Sequence, residues 1–267
     1  MRHCIRFLVA LAALAVGLAA AETPRTVSLD DLTWTELRDR IHSGSTTIIV
    51  PVGGTEQNGP YMALGKHNAR ARYLADRIAG ELGNALVAPV VAYVPEGSVE
   101  PPAGHMRFPG TITVPSSAFE ATLESAGRSF RLHGFRDVVF LGDHGGYQKE
   151  LRDVADHLNR EWRGTGIRAH AIVEYAHAAE VDFARTLRER GYRDDEIGVH
   201  AGLADTSLTL AVDPQLVRTE QLAGAKPAKA DGVNGDPRRA NAELGRAGVD
   251  LIVKETVAAI RKSTARP

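Results

Sequence analysis

The chain has 267 residues, with 32 Lys and Arg against 33 Asp and Glu and 43% hydrophobic residues, an ordinary globular composition that excludes a mostly disordered protein or a polyelectrolyte tail. A formal net charge of -1 removes the electrostatic case for nucleic acid, whose binding relies on many Lys and Arg neutralising phosphates. The length fits one domain, or two small ones, with a substantial core.

Arg2, His3 and Arg6 give the N-terminus a basic start, residues 7–18 are apolar, and Ala19, Ala20 and Ala21 supply small residues before Glu22. This is the pattern of a secretory signal over residues 1–21, whose removal leaves a single domain over 22–267 in the periplasm or outside the cell. The apolar run is shorter than the roughly 20 residues of a spanning helix, so no membrane association is expected after cleavage. Cys4, the only cysteine, precedes the apolar run, and the cleaved chain retains none. A disulfide and a thiolate nucleophile are therefore excluded there, and any metal must be held by His, Asp or Glu.

In residues 27–42 a capping Asp or Thr precedes Trp34, Leu37 and Ile41 at helical spacing, and Ser43-Gly44 stops the helix. Residues 46–52 (TTIIVPV) form a β-branched, apolar run suited to an interior parallel strand covered on both faces. The pattern then alternates: helix 68–82, strand 85–94, helix 117–133, strand 137–141, helix 149–162 and strand 167–175, with a closing helix over 243–262. Such alternation predicts an α/β fold of three layers, a mainly parallel central sheet between helices. Two Gly- and Pro-rich stretches, 95–115 and 221–239, interrupt this order and read as ordered excursions near a site.

Ligands of an open parallel sheet bind outside the carboxyl ends of its strands, which directs attention to the residues following each one. Glu56 and His67 follow the first strand, Asp143 and His144 follow that at 137–141, and His200 and Asp205 lie in the segment HAGLADTS. Two imidazoles and two carboxylates, Glu56, His67, His144 and Asp205, suit Zn, Mn or Fe. Each has a plainer role: Glu56 as a loop cap, His67 as a surface residue opening a helix, His144 as a turn residue, Asp205 as a helix N-cap. His105 in GHMRFPGT is an imidazole, a side chain suited to proton transfer, with Asp143, Glu96, Glu100 and His200 as further acid, base or contact candidates. A serine hydrolase is poorly supported, since there is no GxSxG elbow and Ser207 has no evident base.

Taken together, LTWTELRD, VPVGGTEQNGP, GHMRFPGTIT, GFRDVVFLGDHGG, HAGLADTS and GVNGDPRRANAELG resemble the creatininase (creatinine amidohydrolase) family along nearly all of the chain after residue 21. The resemblance implies a three-layer α/β/α fold, a metal centre rich in His and carboxylate, a homohexamer, and hydrolysis of cyclic amides, formamides or related C–N bonds. It assigns Glu56 and His144 to the family's Glu and His ligands, and places Asp205 where a Glu is usual. Asn58 stands where the family has a His ligand, and His67 where it has an Asp that bridges two metals. An imidazole nitrogen does not bridge two cations, and a neutral amide is a weak Zn ligand. One Zn or Mn ion held by Glu56, His67 and His144, with Asp205 as a further donor, is the expectation, with Glu56, His105 and Asp143 as the catalytic groups. The expected reaction is attack of metal-activated water on a small, cyclic amide. The competing reading, motivated by Asn58 and His67, is a relative that binds a ligand or partner without turnover.

Overall fold

The structure, a computed structural model, describes residues 26–266, so the expected leader lies outside the described residues. Four strands, β1 (Thr47–Val52), β2 (Ala85–Val87), β3 (Asp137–Gly142) and β4 (Arg168–Ala171), form one parallel sheet in the order β2-β1-β3-β4. β1 and β3 are its paired centre, in register from Thr47 opposite Asp137 to Val52 opposite Gly142, and every residue of both is buried.

The helices are α1 (Trp34–His42), α2 (Lys66–Leu82), α3 (Ser116–His133), α4 (Gln148–Glu161), α5 (Val173–His177), α6 (Phe183–Glu189), α7 (Asp194–Ile197), α8 (Leu203–Val212), α9 (Thr219–Leu222) and α10 (Ala242–Thr264). Successive strand residues point to opposite faces, which sorts the core into two layers. Ile49, Val87, Val139 and Leu141 pack against Leu74 and Ile78 of α2, Leu208 of α8 and Ile252 of α10. Ile48, Val50, Val138 and Phe140 pack on the other face against Ile41 of α1, Phe119 and Leu123 of α3 and Leu151 of α4. Each such side chain taken fully out of water contributes about 1.5–3 kcal/mol, and this double covering produces the three layers. Among the described residues no helix is long and apolar enough to cross a membrane.

Three expected elements differ in extent. The first helix is split: a single 3-10 turn at Leu29–Asp31 precedes α1, whose start is fixed by a capping box between Thr33 and Glu36. The strand expected over 85–94 ends at Val87, two residues before Pro89, which has no N–H to give a ladder; pairing resumes only as a bridge from Val91 to Val52. The strand expected over 167–175 ends at Ala171, and the remainder of that apolar run is α5, because a short buried run does not reveal its period.

Candidate metal centre

The carboxyl ends of β1 and β3 lie side by side, so the segments that leave them converge. Glu56 comes from the turn after β1, Lys66, His67 and Arg70 from the first turns of α2, Asp143 and His144 from the turn after β3, and His200 and Asp205 from the entry to α8. Gly54 lets the first turn pass beneath residue 96: its φ is +151°, and a Cβ there would stand 2.6 Å from Glu96 Oε1.

Glu56 is fully buried at the centre of this convergence. Its Oε1 is 2.8 Å from His67 Nε2, and its Oε2 is 3.1 Å from His105 Nε2 and 3.5 Å from His144 Nε2. Burial opposes its ionisation, but the hydrogen bond and charge of His67, with Lys66 and His144 adding, hold the carboxyl well below the usual range. Two groups of donors share it: Glu56, His67 and His144, and Glu56, His105 and His200, each with its ligand atoms within 4.8 Å of one another.

The second nitrogen of His67 is 2.6 Å from Asp143 Oδ2. With both nitrogens against carboxylates, protonation of His67 is favoured above the ordinary imidazole range, although burial and the Lys66 ammonium oppose it. A cation at Nε2 would take the place of that proton, and the Asp143 contact would persist as the carboxylate that orients a ligating imidazole. His144 Nδ1 accepts from the Gly146 amide at 3.0 Å, which puts the ring proton on Nε2; ligation through Nε2 requires the other tautomer and the loss of that contact. Burial, and then the charge of His67, push His144 down to about 3, so the ring is neutral at physiological pH.

The structure separates the other expected site residues from this donor set. Asp205, expected as a fourth donor, belongs to neither group: its carboxylate is ion-paired with Lys66 Nζ, accepts from Arg70 at 2.7 Å, and accepts the Ala201 amide at 2.9 Å. It stands within the first turn of α8, whose N-cap is Gly202, so the plainer N-cap role does not hold either. Asp143, expected as a catalytic carboxylate, is committed to His67, to Arg70 at 2.8 Å and to the Tyr175 hydroxyl at 2.6 Å. Asn58 is buried, and its amide donates to the carbonyls of Glu56 and Ala63, both at 2.9 Å, which makes it a brace of the turn. His105 stands beside this set: Gln57 Nε2 donates to its Nδ1 at 2.9 Å, its Nε2 lies 3.1 Å from Glu56 Oε2 without a hydrogen bond between them, and a quarter of the side chain is in contact with solvent.

Sequence reasoning did not find Lys66, Arg70, Gln57 or Tyr175. The available signal was the spacing of Lys66, His67 and Arg70, which puts two cations beside a candidate ligand on the first turns of one helix. The site opens into a cavity of about 350 Å³ whose wall includes His105, Gly145, Glu180 and Val199. A larger depression of about 650 Å³, around Arg152, Trp162 and Arg168, lies beside the edge strand β4 and holds neither donor group.

A family model described as creatinine amidohydrolase matches residues 30–260. The chain is 28% identical over 207 residues to the creatinine amidohydrolase of Pseudomonas putida, covering 76% of this chain and 78% of the relative. It is 28% identical over 258 residues to the mycofactocin precursor peptide peptidase of Mycobacterium ulcerans (87% and 92%), and 28% identical over 210 residues to the 3-dehydro-scyllo-inosose hydrolase of Thermotoga maritima (77% and 62%). Among solved structures, a manganese creatininase superposes with a TM-score of 0.75 at 25% identity, covering 91% of this chain and all of that one. A creatininase mutant of Zn-Zn type, 24% identical, superposes with a TM-score of 0.74 and the same coverage.

Proposed function

Because the chain belongs to the creatininase family, we propose that it is a metal-dependent amidohydrolase that cleaves a C–N bond of a small amide, with a cyclic amide as the leading substrate class. The observation that carries this reading is the group Glu56, His67 and His144, with the far nitrogen of His67 already seated on Asp143. One carboxylate and two imidazoles suit Zn or Mn, the metals of the two solved creatininases. A bound divalent cation supplies Lewis acidity to polarise the scissile carbonyl and to lower the pKa of water. The chain's own residues do the rest. Asp143 fixes the ring of His67, Gln57 fixes the tautomer of His105, and His105 lines the cavity, where a departing nitrogen needs a proton.

One cation per chain is the favoured stoichiometry, since Lys66 and Arg70 already neutralise Asp205 and Asp143. The group Glu56, His105 and His200 supports the alternative of a second cation sharing Glu56. We further propose an exported protein, on the pattern of residues 1–21, and a homohexamer, on the family likeness. The relatives differ in substrate by name, from creatinine to a precursor peptide to an inosose, and that spread supports a substrate class rather than one compound.

Metal analysis of the purified protein, followed by a screen of lactams, formamides and cyclic ureides, tests the reading. About one Zn or Mn per chain with turnover of a ring amide is expected. A protein that takes up no cation and turns over none of these would instead be a ligand-binding relative, and two cations per chain would overturn the single-cation stoichiometry.

A further inference from the structure

Among the described residues the Glu96 carboxyl has no hydrogen-bond partner. Its side chain has no exposure to solvent, and neither Oε1 nor Oε2 finds a donor. Burial, and then the charge of Glu56, push Glu96 up to about 8, so its ionised form lacks a partner that a bound cation would supply. His144 is a basic neighbour, with Nε2 3.9 Å from Glu96 Oε2 and 3.5 Å from Glu56 Oε2. Donor atoms around one tetrahedral Zn lie roughly 3.4 Å apart, so a small rotation of Glu96 brings it to the same ion as Glu56 and His144. Glu56 Oε2 is itself without a hydrogen bond.

Charge points the same way. Around this cluster the carboxylates of Glu56, Glu96, Asp143 and Asp205 are set against two permanent cations, Lys66 and Arg70, and both of those are spent on Asp143 and Asp205. Glu56 and Glu96 remain. Once His67 and Glu96 each give up a proton to ligate, one divalent cation balances the charges of Glu56 and Glu96. The position of Glu96 is also held from behind, because its amide donates to Thr113 Oγ1 at 2.9 Å, within the same FPGTIT segment whose Thr111 hydroxyl donates to the carbonyl of His105.

We propose that Glu96 is a fourth ligand of the cation held by Glu56, His67 and His144, supplied by the excursion between β2 and α3. This rests on the metal-dependent reading above. The test is Glu96→Gln, which keeps the shape and removes the charge, with Zn²⁺ affinity read by competition against a chromophoric chelator. A loss of at least about tenfold in affinity is expected. The Co²⁺-loaded variant should also show a shifted ligand-field spectrum. Wild-type affinity and an unchanged Co²⁺ spectrum in Glu96→Gln would overturn the assignment of Glu96 while leaving the metal centre standing. Absence of any binding in the wild type would overturn the parent reading instead. If Glu96→Gln does not fold, Glu96→Asp, with the same charge on a shorter stem, should bind more weakly than wild type, and wild-type affinity there counts equally against the assignment.

Discussion

Asp143 reaches the centre only through His67, so its effect is separable from that of the donors. Asp143→Asn keeps the shape but weakens the anchor on His67 Nδ1, and should lower metal affinity about 10- to 100-fold, measured by chelator competition. His67→Ala removes a donor outright and should abolish stoichiometric binding by metal analysis. Asn58→His tests whether the family's usual ligand can be restored by itself. The native amide braces two buried carbonyls, so the change should cost about 1–3 kcal/mol in a melting experiment and leave the metal count unaltered. The ion pairs also set a pH dependence in the metal-free protein. Burial opposes ionisation of Asp143 and Asp205, but Arg70 beside the first and Lys66 with Arg70 beside the second hold both below the usual carboxylate range. Their contribution to stability is complete above about pH 4 and is lost as pH falls through the folded-state values. His67, whose pKa is raised, contributes below about pH 6.5 and loses its share as pH rises through its folded value. Chelated protein should therefore melt highest between those limits, and a melting temperature still climbing below pH 4 would contradict the assignment. Among single residues, Glu56, His67 and His144 were legible because they directly follow strands or open a helix. The partner of Asp205 was not, because a carboxylate's choice between a metal and a lysine 139 positions away is made by packing and leaves no local pattern.

At the scale of elements, β1 and β3 were readable because an apolar run bounded by Gly and Ser or by Gly and Asp has few other fates in a parallel sheet. The region from 173 to 212 was not, since α5 to α8 are short and their packing against α2 and α10 overrides weak local periodicity. The excursion over 95–115 was recognised as site-forming from its Gly and Pro content, yet its internal order comes from threonines. Thr111 accepts the Gln57 amide at 3.1 Å and donates to the His105 carbonyl at 2.9 Å. Thr111→Val should therefore displace His105 more than the cation. The expected outcome is a several-fold or larger fall in kcat with Zn affinity within about threefold of wild type, measured by steady-state kinetics on whichever ring amide the screen identifies. The capping box of α1 gives a contrasting control. Thr33→Ala should cost about 1 kcal/mol of stability and leave both kinetics and metal binding unchanged.

For the whole molecule, a cation that binds only the folded chain adds stability by mass action, about 2.7 kcal/mol at a free concentration one hundred times Kd. For a domain of this size, that should raise the melting temperature by roughly 5–10 °C, reversed by a chelator, in differential scanning calorimetry. Light scattering should find a closed oligomer, and Tyr93 and Val199, 63% and 84% exposed, are apolar positions that subunit contacts would cover. The pairing of β1 with β3 has an evolutionary corollary. Six rungs of ladder fix the distance between the turn that carries Glu56 and the turn that carries His144, whereas His105 and Glu96 ride on the excursion after β2. The sheet is thus a chassis that holds part of the metal set rigidly, and the excursion is an exchangeable cartridge. If Glu96 ligates the cation as proposed, transplanting residues 95–115 from a relative would change the cavity wall at His105 and a cation donor in a single step, so altered specificity and altered metal affinity would be inherited together.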